Sequence, residues 1–173
     1  SIVPLGALLL GAIYFLVASF SPRNRANNLL FLLMTSFASL QLFAEISRSL
    51  FSYPYPFHDV RLLLIVSLSL LFGLCLLSFV ILYLEKIKPY LWVLAGGTLS
   101  LLTVWLSPGF DPKTALAIFV PSAISATLLT TQAVKTKSIE WVIYAAVFVL
   151  FSVTIVLTLT TFHDVLFYYI ITG

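Results

Sequence analysis

Long apolar runs alternate with short polar breaks along the whole chain. A helix needs about 20 apolar residues to cross a hydrocarbon core of about 30 Å, whereas membrane barrel strands are about 9–11 residues of alternating character. The pattern therefore predicts an all-α polytopic membrane helix bundle, with six complete transmembrane helices and the start of a seventh. The predicted spans are residues 2–20, 29–51, 62–84, 90–107, 114–134, 141–162 and 165–173 onward.

The two ends of the chain interrupt this pattern. The sequence begins without an initiator Met, and its last apolar run stops soon after it starts, at Gly173. We therefore expect residues 1–173 to be a single transmembrane, sensor-like domain of a longer protein.

Composition agrees with a membrane location. Hydrophobic residues make up 61% of the chain and charged residues only 9%, against about 25% charged residues in soluble domains. Such a chain has too few polar side chains to cover a water-facing surface. The basic residues come in pairs and not in patches, which argues against nucleic-acid binding by this domain. The lone Cys75 excludes a disulfide within the chain.

Basic residues favour alternate breaks, and this bias predicts the orientation. The first, third and fifth breaks contain Arg23, Arg25, Lys86, Lys88, Lys135 and Lys137. The opposite side has only Arg48, Arg61 and Lys113, together with Asp59, Asp111 and Asp164. Because Lys and Arg are enriched in short cytoplasmic loops, the N-terminus is predicted outside, in a multi-pass protein of the inner (plasma) membrane.

The fragment FHDV occurs twice, at residues 57–60 and 162–165, and a related Phe-Asp pair occupies residues 110–111. Each one precedes a span that is predicted to enter the membrane from outside. Asp is a favoured helix N-cap and its charge complements the helix dipole. The pattern therefore predicts that the aspartates cap three helices: Asp59, Asp111 and Asp164.

Capping does not explain the only two histidines, His58 and His163. Together with carboxylates they would suit a divalent metal or a pH-sensitive contact if the third and seventh helices were neighbours. The sequence alone does not bring them together, so we predict a site without a metal or cofactor.

The second span has a polar stripe near its outer end. Gln41, Glu45 and Arg48 follow i, i+4, i+7 spacing and so share one helix face. A carboxylate within the bilayer is costly unless it is paired, and Arg48 is the partner within reach on the same helix. The stripe is either an ion pair that fixes packing or the floor of a pocket open to the outside.

The tract SYPYPFHD joins the second and third spans. Its alternating prolines favour an extended segment with Tyr53 and Tyr55 on one side. The tract forms either a wall over a ligand cleft or a tight interfacial turn. The candidate ligand-binding residues are Gln41, Glu45, Arg48, Tyr53, Tyr55, His58, Asp59, Arg61 and His163.

Familiar catalytic motifs are missing from the sequence. It contains no HExxH, no GxSxG and no Gly-rich phosphate loop, so we expect no enzymatic activity from this chain itself. Only the fifth span, with Pro121, is interrupted, whereas inverted-repeat transporters have matched broken helices. A transporter is therefore the least favoured interpretation.

Three tracts carry a resemblance to a known family: SPRNRANNLLFLL, SFASLQLF and EISRSLFSYPYPFHDVRLL. With an outside N-terminus, seven spans and short loops, the chain resembles the bacterial seven-transmembrane receptors with diverse intracellular signalling modules. The resemblance implies a receptor that detects a small-molecule ligand at the outer face and passes the signal to a cytoplasmic signalling domain or partner. Membrane lipid is the implied surrounding, and a homodimer is compatible with it. The alternative is a structural or accessory subunit of a larger membrane complex.

Overall fold

The computed structural model describes residues 2–21, 24–50, 56–84 and 88–160, and over these residues it contains helices and turns but no strand. The helices are α1 (Ile2–Ser19), α2 (Arg25–Leu50), α3 (Pro56–Tyr83), α4 (Pro89–Leu106), α5 (Phe110–Thr136) and α6 (Ile139–Thr160). By length and composition, α2 to α6 can each cross a membrane, and α1 contributes a shorter apolar segment, Leu5–Ser19. The helices indicate a multi-pass membrane protein. The predicted seventh span lies outside the described residues.

Three helices begin four to six residues before the apolar spans that the sequence predicts, at Arg25, Pro56 and Phe110. A helix satisfies its own backbone hydrogen bonds, so it can continue through polar residues beyond the apolar region. The predicted aspartate caps are consequently wrong at the two described positions. Asp59 lies within the first turn of α3, and Asp111 is the second residue of α5, after Gly109 at the N-cap. Asp164 lies outside the described residues.

Consecutive helices run antiparallel, and α3 is central. It packs against α2, α4 and α5, while α1 packs on α2 and α6 on α5. The rings of Phe31, near the start of α2, and Phe79, near the end of α3, are 4.7 Å apart. We call the end of the bundle where α1, α3 and α5 finish the basic end, and the opposite end, where α3 and α5 begin, the far end.

The closest approach of α3 and α5 depends on a glycine. A Cβ atom at the buried Gly73 would lie 2.6 Å from the carbonyl oxygen of Ala117 and 2.8 Å from Cγ of Pro121. On α4, a Cβ at Gly96 would collide with the side chain of Leu77. The close approach of α3 to α5 and of α4 to α3 therefore depends on these two glycines, because a methyl group at either position would meet the neighbouring helix.

All buried polar residues among those described are serines: Ser19, Ser39, Ser69, Ser100, Ser122, Ser125 and Ser152. Each hydroxyl donates a hydrogen bond of 2.7–2.9 Å to a carbonyl oxygen three or four residues earlier in its own helix. The serines therefore supply small side chains for close packing without leaving a buried hydroxyl unsatisfied.

A chain of aromatic rings joins four helices towards the basic end. It runs from Phe15 of α1 through Phe31 of α2 to Phe79 of α3, with successive ring centroids 4.9 and 4.7 Å apart. Phe79 contacts Tyr83 on the same helix, and Tyr83 contacts Trp141 of α6 at 5.4 Å. At this end, aromatic contacts therefore join α3 to α2 on one side and to α6 on the other.

Candidate functional site

A polar cluster lies between α2 and α3 at the far end. Glu45 is five residues before the end of α2, and Arg61 is five residues after Pro56, where α3 begins. At about 1.5 Å per residue, both lie about 8 Å from the ends of their helices. Because the two helices pack antiparallel, these side chains occupy the same level of the bundle.

The three polar side chains of this cluster interact. The carboxyl group of Glu45 accepts a hydrogen bond from the side-chain amide of Gln41, one turn earlier on α2. The guanidinium group of Arg61 interacts with Glu45 electrostatically. All three residues are half-buried. The arrangement therefore places a carboxyl group and a guanidinium group at the same level of an apolar bundle, where opposite charges reduce the cost of burying each other.

Arg61 has a donor that the cluster does not use. Its Nε atom is buried and has no hydrogen-bond partner. A guanidinium group carries five N–H donors in a planar fork that matches a carboxylate or a phosphate. The arginine therefore retains capacity to bind an anionic group in addition to its interaction with Glu45.

The other predicted residues at this end are only partly brought into the cluster. His58 lies three residues before Arg61, on the same face of α3, and is half-buried. Asp59 is exposed. Arg48 belongs to α2, but its side chain is outside the described part, so the predicted pairing of Glu45 with Arg48 is untested. Tyr53, Tyr55 and His163 lie outside the described residues. A contact between His58 and His163 is therefore untested.

Sequence reasoning selected Gln41, Glu45 and Arg61, but it did not identify Arg61 as an electrostatic partner of Glu45. It paired Glu45 with Arg48 because that spacing is visible within one helix. The structure adds Arg61 from the neighbouring helix. Within the described ranges, no group of three His, Cys, Asp or Glu side chains is close enough to hold a metal ion.

An open apolar groove lies between α5 and α6, with a volume of about 350 Å³. Its lining is Phe119, Ala123, Ala126, Val149, Ser152, Val153, Val156 and Leu157. The only hydroxyl among these, on Ser152, is already bonded to the carbonyl of Phe148. The groove suits a lipid chain or an apolar helix and has no group that could bind a polar ligand.

Comparison with known proteins gives no relative: no family model, no curated protein and no solved structure matches the chain.

Proposed function

We propose that this chain is a membrane-embedded sensory domain that binds a small molecule with an anionic group between α2 and α3 and passes the signal to a cytoplasmic output module. The observation that carries the proposal is the buried, unpartnered Nε of Arg61 beside Glu45 and Gln41. Ionisable residues within membrane helices are rare and costly, and they mark functional sites by default.

The cluster defines the chemistry of the ligand. Arg61 donates hydrogen bonds to a carboxylate or phosphate of the ligand, while Glu45 and Gln41 have oxygen atoms that accept from an ammonium or hydroxyl group. A small amino acid or hydroxy acid carries both kinds of group. Because the cluster lies about 8 Å from the helix ends, such a ligand reaches it from the far end, which the charge bias orients outward.

The central position of α3 gives a route for the signal. Its first turns hold Arg61, its middle packs on α4 and α5, and its end holds Tyr83 in contact with Trp141 of α6. A ligand that favours one position of α3 relative to α2 shifts the population towards the matching arrangement at the basic end. With that end in the cytoplasm, the output module receives the shift.

The proposal predicts ligand-dependent stabilisation that requires Arg61. The purified chain in lipid nanodiscs is screened by thermal unfolding against a panel of small amino, hydroxy and carboxylic acids. We expect at least one compound to raise the Tm of the wild type, because a ligand that binds only the folded state stabilises it. Arg61→Gln and Glu45→Gln should weaken the apparent affinity at least about tenfold, which corresponds to about 1.4 kcal/mol.

Two variants that each neutralise one charge elsewhere in the bundle serve as controls for this screen. Lys113→Gln removes a basic residue of α5, and Glu140→Gln removes an acidic residue at the start of α6. Both should respond to the compound as the wild type does. The proposal is wrong if no compound in the panel shifts the wild type, or if the response survives in Arg61→Gln.

The second candidate function is an accessory subunit of a larger membrane complex, and the groove between α5 and α6 favours it. Small residues in membrane helices allow close helix docking, and Ala123, Ala126 and Ser152 line this groove. The full-length protein should then co-purify with other membrane proteins at a fixed ratio, and replacing Ala126 with Phe should abolish that association. Co-purification unaffected by Ala126→Phe contradicts this alternative, as does a protein isolated alone in mild detergent.

A further inference from the structure

The basic end of the bundle is a charged surface that the proposed ligand site does not use. Four exposed basic residues lie there among the described part of the chain: Arg25, Lys88, Lys135 and Lys137. The described acidic residue at the same end is Glu140, in the first turn of α6. Basic side chains therefore dominate this end, and they come from both sides of the bundle.

Two of these lysines have a backbone conformation that is unfavourable for lysine. Lys88 has φ 56° and ψ 63°, and Lys137 has φ 50° and ψ 28°. The left-handed region is disfavoured for residues with a Cβ atom, and helix ends that use it carry Gly or Asn in most proteins. Lys88 also precedes Pro89, and residues in that position are ordinarily extended.

The chain uses a more suitable residue type at another position with positive φ. Asn24, between α1 and α2, has φ 71°, and Asn is one of the few residue types other than Gly that adopt the left-handed region routinely. The turn geometry therefore does not explain why lysine occupies positions 88 and 137, because glycine would adopt the same backbone conformation without strain. A positive charge at these positions is the property that lysine adds.

The aromatic residues at this end are of the types expected at the headgroup level of a bilayer. Tyr83 and Trp141 have ring centroids 5.4 Å apart, the side chain of Tyr83 is hydrogen-bonded to that of Tyr144, and Tyr90 is exposed on the first turn of α4. Tyr and Trp concentrate at membrane–water interfaces. Lys88 and Lys137 are the residues adjoining the ends of α4 and α5, so their charges lie at the same level.

We propose that the basic end is a binding surface for anionic phospholipid headgroups, with Lys88 and Lys137 as its principal contacts. Each ammonium group donates hydrogen bonds to a headgroup phosphate, and the aromatic residues hold the helix ends at that depth. Basic residues at the surface of a membrane attract anionic lipids by this mechanism. The surface lies at the opposite end of the bundle from Arg61. The proposal does not depend on the proposed sensory function.

The test compares thermal unfolding of the purified chain in nanodiscs of phosphatidylcholine with nanodiscs that also contain phosphatidylglycerol. The wild type should have a higher Tm with phosphatidylglycerol, and added salt should reduce the gain because it screens exposed charges. The double variant Lys88→Gly/Lys137→Gly should lose most of the gain. In phosphatidylcholine alone it should be at least as stable as the wild type, because glycine relieves both turns.

Two further variants separate charge from folding. Lys88→Arg/Lys137→Arg keeps both charges and should keep the gain, and Lys113→Gln, which removes a basic residue of α5 at the far end, should keep it as well. The proposal is overturned if the wild type gains nothing from phosphatidylglycerol, or if the glycine double variant retains the full gain. The proposal is also overturned if the glycine double variant is less stable than the wild type in phosphatidylcholine alone. The lysines would then stabilise the turns themselves.

Discussion

Replacing Gly73 with Ala is expected to lower the unfolding free energy of the bundle by about 3 kcal/mol. The added methyl would lie 2.6 Å from the carbonyl oxygen of Ala117 and 2.8 Å from Cγ of Pro121. A backbone carbonyl and a proline ring cannot rotate away, so α3 and α5 must separate. The Tm in mixed micelles and the midpoint of SDS-induced unfolding both measure the loss.

Two other glycines provide matched alanine substitutions. At Gly96 the new methyl meets the side chain of Leu77, which can change rotamer, so we expect a loss of about 1 kcal/mol. At Gly6 nothing lies within 4 Å, and the substitution should be neutral or slightly stabilising because Ala is the better helix former. Equal effects at Gly73 and Gly6 would show that α3 and α5 do not meet as described.

The second large effect is expected from separating Glu45 and Arg61. Glu45→Gln leaves the guanidinium group without its carboxylate, and Arg61→Gln leaves the carboxylate without its cation. Removing one partner of a fully buried pair costs about 3–5 kcal/mol, and because both residues are half-buried we expect about 2 kcal/mol for each single variant. The double variant should cost less than the sum, with a coupling free energy on the order of 1 kcal/mol.

A double-mutant cycle on the midpoint of SDS-induced unfolding measures this coupling without any knowledge of the ligand. Glu140→Gln, on the exposed first turn of α6, should change stability by less than about 0.5 kcal/mol. Strictly additive effects of Glu45→Gln and Arg61→Gln would mean that the two side chains act independently, and the site between α2 and α3 would have to be abandoned.

The sequence predicts where the helices end far better than where they begin. Apolar runs finish within a residue or two of Ser19, Leu50, Tyr83 and Leu106, since the hydrocarbon core demands a minimum apolar length. Helix starts are harder, because polar residues can also be helical. Pro56 begins α3 as a first-turn proline, so the FHDV copy at residues 57–60 lies inside the helix and Asp59 is not a cap.

The candidate site is likewise only partly predictable from the sequence. Gln41, Glu45 and Arg61 can be selected from sequence, because ionisable and amide side chains in an apolar helix are conspicuous. The electrostatic interaction between Glu45 and Arg61 cannot be predicted from the sequence, since it depends on how α2 and α3 are rotated about their axes. The left-handed backbone conformations at Lys88 and Lys137 likewise cannot be predicted from the sequence, because no pattern of residue types indicates them.

The buried serines have a consequence for movement inside the bundle. Each of these hydroxyls bonds to its own helix, so a helix can rotate or shift along its axis without breaking any of these hydrogen bonds. At the buried serines, resistance to such a shift comes from side-chain packing, and packing is close where Gly73 meets Ala117 and Pro121. The hydrogen bonds of these serines therefore do not fix one helix against its neighbour, and the register of α3 against α5 depends on the close packing at Gly73.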